Sequence, residues 1–373
     1  MVKLTFFPLG NADCCLVDLA DAQKMLFDFA ATRDPSDHDD RRIDLPKVLR
    51  EDLQSANRNH YDVVAITHLD KDHYTGASEF FYLEHAKKYQ SEDRVRVNTL
   101  WVPAAVIVEE GPDEPEARII QAEARHRLVE GKGVRIFSRP EALKDWLGEH
   151  GLSVQERAHL ITDAGQVVPE FTRNENGVEF FAHSPFASRL DDGTLVDRNR
   201  DSIVVQATFS CRVTETKVIL GSDVDHEALS QIVNVTKRNR NESRLEWDIF
   251  KLPHHCSYLS LGPDKGKDKT EPVPEVRWLF EEQGKHGSIV VSSSRPIPSG
   301  EEVQPPHKQA AAYYRDMVKG LGGEFIVTME HPSVSRPEKL EIAICEGEGG
   351  ATVRKRATSS AAIATGTRAP RAG

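Results

Sequence analysis

Four side chains able to ligate a metal fall within six residues, in Thr67-His68-Leu69-Asp70-Lys71-Asp72-His73. They follow directly on the apolar run Tyr61-Asp62-Val63-Val64-Ala65-Ile66, whose β-branched residues predict a buried strand. The ligands therefore belong to a loop at a strand end, where a rigid scaffold usually places its chemistry. Two imidazoles and two carboxylates form a donor set suited to zinc, manganese or iron.

The rest of the chain repeats the pattern. Lys3–Pro8, Cys14–Leu19 and Lys24–Phe29 are strand-like runs joined by short turns, which predicts an antiparallel meander. Leu45, Val48, Leu49 and Leu53 share one face of a helix over 45–56, and 77–90 reads as another helix. Residues 104–172 are rich in Glu, Ala and Arg and read as a mainly helical insertion. Strands return at Val178–His183, Ser202–Phe209, Lys217–Leu220 and Asp248–Leu252, then Ser288–Ser292, Glu324–Thr328 and Leu340–Cys345, with a helix over Pro306–Leu321. From Gly347 periodicity is lost, and 347–373 reads as a flexible basic tail.

Composition narrows the class. A length of 373 residues with 39% hydrophobic content suits a soluble globular protein with a substantial core. The formal net charge of -11 argues against a general nucleic-acid coat and leaves open a local basic groove. No apolar run reaches membrane-span length and no secretion leader is evident, so a cytoplasmic protein with no membrane association is expected. Five cysteines without zinc-knuckle or disulfide-framework spacing are expected to be buried reduced thiols.

Two further strands end in ligand types: one at Gly221-Ser222-Asp223, the other at Pro253-His254-His255-Cys256-Ser257. With residues 67–73, and with Gly10-Asn11-Ala12-Asp13-Cys14-Cys15-Leu16-Val17 near the start, the chain resembles the metallo-β-lactamase-fold hydrolases. It is most similar to the branch typified by the metallohydrolase domain of the ComEC DNA-uptake proteins. That branch carries Thr-His-x-Asp-x-Asp-His, which residues 67–73 fit completely. Gly221-Ser222-Asp223 has one residue more than the branch's Gly-Asp, Cys256 stands where it has Gly, and Pro306-His307 is a loose counterpart of its late His.

The resemblance implies a four-layer α/β/β/α sandwich with one or two divalent ions, zinc or manganese, at one edge of the sheets. It implies that His68 and Asp70 hold one ion and Asp72 with His73 the other. Asp223 would bridge them and His255, deeper in its loop than His254, would complete the second site. It also implies a further His just before Ser202. Here that turn is Asp197-Arg198-Asn199-Arg200-Asp201, so Asn199, Asp201 or a substrate oxygen is left to fill the gap, while His183 comes too early and suits a structural role.

Ions so placed would acidify a water and polarise a phosphoryl or carbonyl oxygen. Asp72, His254 and His307 are the candidates for a part in catalysis, the two imidazoles as proton donors to the leaving group. The leading expectation is a phosphodiesterase or nuclease acting on DNA or RNA. Lys237-Arg238-Asn239-Arg240, Arg244 and Lys265–Lys269 are its candidate basic groove. The alternatives are hydrolysis of a small ester, lactone or phosphoester, and a metal-stabilised module binding a protein partner through the insertion or the tail.

Overall fold

The computed structural model describes residues 2–191, 196–211, 214–344 and 351–353. Among the described residues there are fifteen strands. These are β1 (Val2–Phe6), β2 (Cys15–Asp18), β3 (Lys24–Phe27), β4 (His60–Ala65), β5 (Arg96–Pro103), β6 (Val134–Phe137), β7 (Ile161–Thr162) and β8 (Val178–Ser184). They continue with β9 (Val204–Cys211), β10 (Thr214–Leu220), β11 (Trp247–Lys251), β12 (Gly284–Ser292), β13 (Glu324–Val327), β14 (Leu340–Ile344) and β15 (Ala351–Val353). One sheet has the order β15-β14-β1-β2-β3-β4-β5-β6-β7, the other β13-β12-β11-β10-β9-β8.

Strand periodicity explains why the sheets stack. Successive side chains point to opposite faces. In β4, Val63 and Ala65 join the cluster between the sheets, while Val64 and the following Ile66 face the outer helices. In the second sheet Val218, Leu220, Ile249, Ile289 and Val291 face the first sheet, and Ile219, Phe250 and Val290 face helices on the far side. Both faces are apolar because both are covered. The result is the four-layer α/β/β/α sandwich implied by the sequence. Trp101 sits fully buried between the sheets, edge-on to Phe27 and Phe180.

The helices have local causes. Leu45–Ser55 starts at Asp44, whose side chain accepts from Lys47 N, carries Pro46 in its first turn and buries Leu45, Leu49 and Leu53. Residues 104–172 do provide the helices Ala104–Val108, Pro115–Glu130 and Glu141–Glu149, yet their strands β6 and β7 extend the first sheet in parallel. The long helix expected over 77–90 is instead a single turn, Ala77–Phe80, because Phe81 bridges to Val95 and draws the chain into extended form. At the other end, Ala351–Val353 pairs with β14 where tail was expected, and the rest of 347–373 lies outside the described residues. Cys14, Cys15 and Cys256 are free and buried, as expected, but Cys211 is disulfide-bonded.

Register brings the functional loops together. Phe27 pairs with Ala65 and with Cys15, so β3 and β4 end where β2 begins. Leu220 pairs with Lys251 and with Val205, and Lys251 with Val291. The turn before β2, the loops after β3, β4, β10, β11 and β12, and the loop before β9 therefore share one end of the sandwich.

A buried ion cluster ties the outer helix to this frame. Glu123 is fully buried and accepts from Glu84 N, His85 N, His85 Nδ1 and Arg127 Nε at 2.7–3.0 Å. Burial opposes its ionisation, but the His85 and Arg127 donors prevail and hold the carboxyl down at about 2. The folded value lies below the ordinary one, so this stabilisation is present above about pH 4.3 and is lost as pH falls towards 2. Glu123→Ala leaves the Arg127 guanidinium buried and unpaired and is expected to cost about 3–5 kcal/mol. Denaturant titrations at pH 7 and pH 3 check both points: the variant's deficit should shrink at the lower pH.

Candidate metal centre

Three imidazoles meet at the shared end of the sheets, each fixed through Nδ1. His73 Nδ1 lies 2.8 Å from Asp28 Oδ2. His255 Nδ1 donates to Ser293 O at 2.7 Å. His68 Nδ1 lies 3.2 Å from Thr67 Oγ1, which in turn donates to Asp28 Oδ2 at 2.9 Å. With Nδ1 engaged, each ring presents Nε2 inward, the arrangement by which outer hydrogen bonds orient metal-binding histidines. The Nε2 atoms of His68 and His73 are buried and have no hydrogen-bond partner.

Carboxylates surround these nitrogens. Asp223 Oδ1 is 3.4 Å from His73 Nε2, and its Oδ2 is 3.5 Å from His255 Nε2. Asp72 Oδ2 lies 2.9 Å from His255 Nε2, and Asp13 Oδ2 lies 3.8 Å from His73 Nε2. One ligand atom from each of Asp13, His73, Asp223 and His255 falls within 4.8 Å of all the others, and all four residues are buried. Unpartnered nitrogens facing buried carboxylates fit a divalent cation.

The local backbone is built for this convergence. A Cβ at Gly221 would meet Lys251 O at 2.8 Å, so only glycine lets the end of β10 pass β11 closely enough to aim Asp223 inward. Ser222 follows in the left-handed region at φ 39°. After β11, His254, His255 and Cys256 are all left-handed, with φ of 49°, 53° and 66°. Three such residues in succession cost about 1–2 kcal/mol each, and strain of this kind collects at functional sites. Cys256 fills the apolar layer beneath this turn and burial pushes its thiol pKa up, as expected of a space filler.

The electrostatics follow from crowding. Burial lowers the His255 pKa, but Asp223 and then Asp72 outweigh it and bring it up to about 9. Burial likewise opposes charge on His73, and Asp28, Asp223 and Asp72 overcome it to raise that pKa well above the ordinary value. His68 goes the other way: burial and its cationic neighbour His73 keep it neutral.

The other residues singled out in the sequence divide. Asp70 is partly exposed; its Oδ1 accepts from Arg198 Nη1 at 3.1 Å, and its Oδ2 lies 3.7 Å from His68 Nε2. Asp201 is consumed by Arg189, which grips both its oxygens at 2.7 and 3.0 Å. Asn199 Oδ1 is buried without a hydrogen-bond partner. His183 bonds Arg244 O at 2.9 Å, and burial takes its pKa down to about 4. His254 is half-buried and lines the cleft that opens on the cluster. The expected proton-donor role for His307 meets an obstacle: its Nδ1 accepts from Tyr258 N at 3.3 Å and its Nε2 faces Val303 O at 3.2 Å, so both nitrogens are spent on the main chain.

Asp13, Asp28 and Lys251 escaped the sequence reading. Lys251 is buried and pairs with Asp13, and its Nζ lies 4.0 Å from Asp223 Oδ1. Asp13 had a signal in the Gly10–Val17 stretch. Asp28 had a weaker one, as a lone carboxylate inside an apolar run.

No protein-family model matches the chain, and no curated protein matches it. Among solved structures the chain is similar to unliganded yeast PDE1, at 11% identity over 88% of this chain and 98% of that one, with a TM-score of 0.44. It is similar to the metallo-β-lactamase GOB-18 from Elizabethkingia meningoseptica at 11% identity over 85% and 90%, TM-score 0.33. It is also similar to a diphosphatase from the PhnP family at 10% identity over 92% and 98%, TM-score 0.33.

Two outcomes are expected. Asp28→Asn, which loosens His73 without removing a ligand, should weaken zinc or manganese affinity by about 10–100-fold in competition with a chromophoric chelator. Metal binding should also release protons at pH 7, since His255 and His73 are then protonated in the metal-free protein. Affinity should rise with pH towards about 9. Calorimetry in buffers of different ionisation enthalpy reads that release.

Proposed function

We propose that this chain is a metal-dependent hydrolase of phosphoesters, and that a phosphodiester is its preferred linkage. The observation that carries this reading is a cleft of about 730 Å³ opening on the metal cluster. Asp72, His254 and His255 line it together with Arg42 and Arg295. The two arginines flank Gly10, where an added Cβ would meet Arg42 Cδ at 3.5 Å and Arg295 Cγ at 3.6 Å. Arg42 is neutralised by Asp40. Arg295 donates to Pro305 O at 3.3 Å, and its guanidinium has no carboxylate partner among the described residues. A cation with spare donors beside a metal site suits the oxygens of a phosphate.

A divalent ion in this cluster would supply Lewis acidity and an acidified water. His73, His255 and Asp223 would hold it, with Asp72 and Asp13 on either side. The protein supplies the rest. Asp223 Oδ1 also accepts from His254 N at 3.3 Å, which fixes the turn that points the His254 imidazole along the cleft. That imidazole is the group positioned to protonate a leaving oxygen, the role His307 is not free to take. Arg295 orients the anionic substrate.

Charge distribution favours a small phosphodiester over a long polymer. Lys237–Arg244 spans the last residues of the helix His226–Arg238 and the turn before β11, so it lies at the opposite end of the sheet from the ligands. Arg244 is paired with Glu179 and Lys237 stacks on Trp278 at 3.7 Å. Lys265 and Lys269 lie near Glu301 and Asp316 respectively. Asp37, Asp39 and Asp40 rim the cleft itself.

Incubation with manganese or zinc and bis-p-nitrophenyl phosphate, plasmid, single-stranded DNA or RNA tests the reading. Metal-dependent cleavage of the small diester is expected, and Arg295→Ala should raise KM about 10–100-fold, the loss of a charged hydrogen bond, with a smaller change in kcat. Absence of cleavage of every substrate, with metal demonstrably bound, contradicts the proposal. Faster cleavage of a nucleic acid than of the small diester would move the assignment to a nuclease.

A further inference from the structure

We infer that this centre takes one divalent ion, and that the Arg198 guanidinium holds a fixed positive charge at the place where a second ion would sit. The inference rests on the metallohydrolase reading above and concerns the half of the site formed by His68 and Asp70.

The sequence lacks a histidine in the turn 197–201, and the structure shows what stands there. Arg198 Nη1 donates to Asp70 Oδ1 at 3.1 Å. Its other face is held by Glu109, with Nε at 3.0 Å and Nη2 at 2.6 Å from Glu109 Oε1. A planar fork gripped by two carboxylates on different elements is positioned, not swinging. Its turn is anchored as well: Arg189 binds Asp201, Ser202 Oγ donates to Asn199 O at 2.7 Å, and Ile203 N donates to Thr67 O at 3.1 Å. The last bond ties Arg198 to the strand end that carries His68 and Asp70.

The charges then divide cleanly. Asp70 shares the Arg198 cation with Glu109, and Asp13 pairs with Lys251. Asp72 and Asp223 remain beside His73 and His255, enough carboxylate for a single divalent cation. The group of mutually close ligand atoms among the described residues comprises Asp13, His73, Asp223 and His255, and it includes neither His68 nor Asp70. A second cation at His68 and Asp70 would face the guanidinium directly, and like charges at that range repel.

Metal content of the purified full chain, after equilibration with zinc and then with manganese, tests the inference by plasma mass spectrometry and equilibrium dialysis. One ion per chain is expected for the natural sequence. Arg198→His removes the fixed cation and adds the missing donor, and should raise the content to two. Arg198→Met frees Asp70 without adding a donor and should give a second, weaker binding event. Circular dichroism and a thermal melt establish that each variant is folded, and if Arg198→His fails to fold, Arg198→Met decides. Two ions in the natural chain, or one ion in every folded variant, overturns the inference and leaves the metallohydrolase reading standing. No ion in any of them overturns both.

Discussion

Everything at this site depends on how the Nδ1 atoms of three histidines are held. Asp28 fixes His73, Ser293 O fixes His255, and Thr67, itself bonded to Asp28, fixes His68. An imidazole free to rotate would turn its basic nitrogen toward the nearest donor. Here each ring has its Nδ1 committed, and the Nε2 atoms of His73 and His255 face the buried Asp223. The anchors come from three strand ends, those of β3, β4 and β12, and these coincide only because both sheets terminate in register. The sandwich is therefore the device that points these nitrogens at one volume.

Charge is managed by the same economy of position. Five carboxylates, those of Asp13, Asp28, Asp70, Asp72 and Asp223, lie in or beside the site. Unpaired, they would be costly at such burial. Lys251 from β11 pairs with Asp13, and Arg198 from the loop before β9 bridges Asp70 to Glu109. In the metal-free protein the imidazolium forms of His73 and His255 serve the others, which is why their pKa values rise against the opposing effect of burial. A cation bound there would exchange those protons for metal. The cost of three consecutive left-handed residues at 254–256 is set against this packing and against the aim it gives His255.

Much of this was legible in the sequence because ligands crowded into a strand-end loop are an uncommon pattern. The alternation of apolar residues in β4, β10, β11 and β12 also forecast layers buried on both faces. Residues 67–73, Asp223 and His255 could be read as one constellation for that reason. Arg198 could not: its partner Asp70 is 128 positions away, and an arginine in a polar turn looks like any solvated charge. Asp28 was hidden inside what read as strand, and only the structure shows that it caps Thr67 and His73. His307 misled in the opposite sense. A histidine after Pro306 looked available, whereas the main chain of Tyr258 and Val303 occupies both its nitrogens. The helix expected over 77–90 failed because a local apolar pattern cannot report that Phe81 finds a strand partner at Val95. In each case the missing information was a contact between residues distant in the chain.

The central claim is that the inward nitrogens of His73 and His255, with Asp223 between them, form a metal centre. Anomalous diffraction from crystals of the zinc-equilibrated protein, recorded above and below the zinc absorption edge, tests it most directly. The account predicts a peak enclosed by His73, His255 and Asp223, with the three Nδ1 bonds to Asp28, Ser293 and Thr67 unchanged. A peak absent from that volume, or found only at surface histidines, would contradict it.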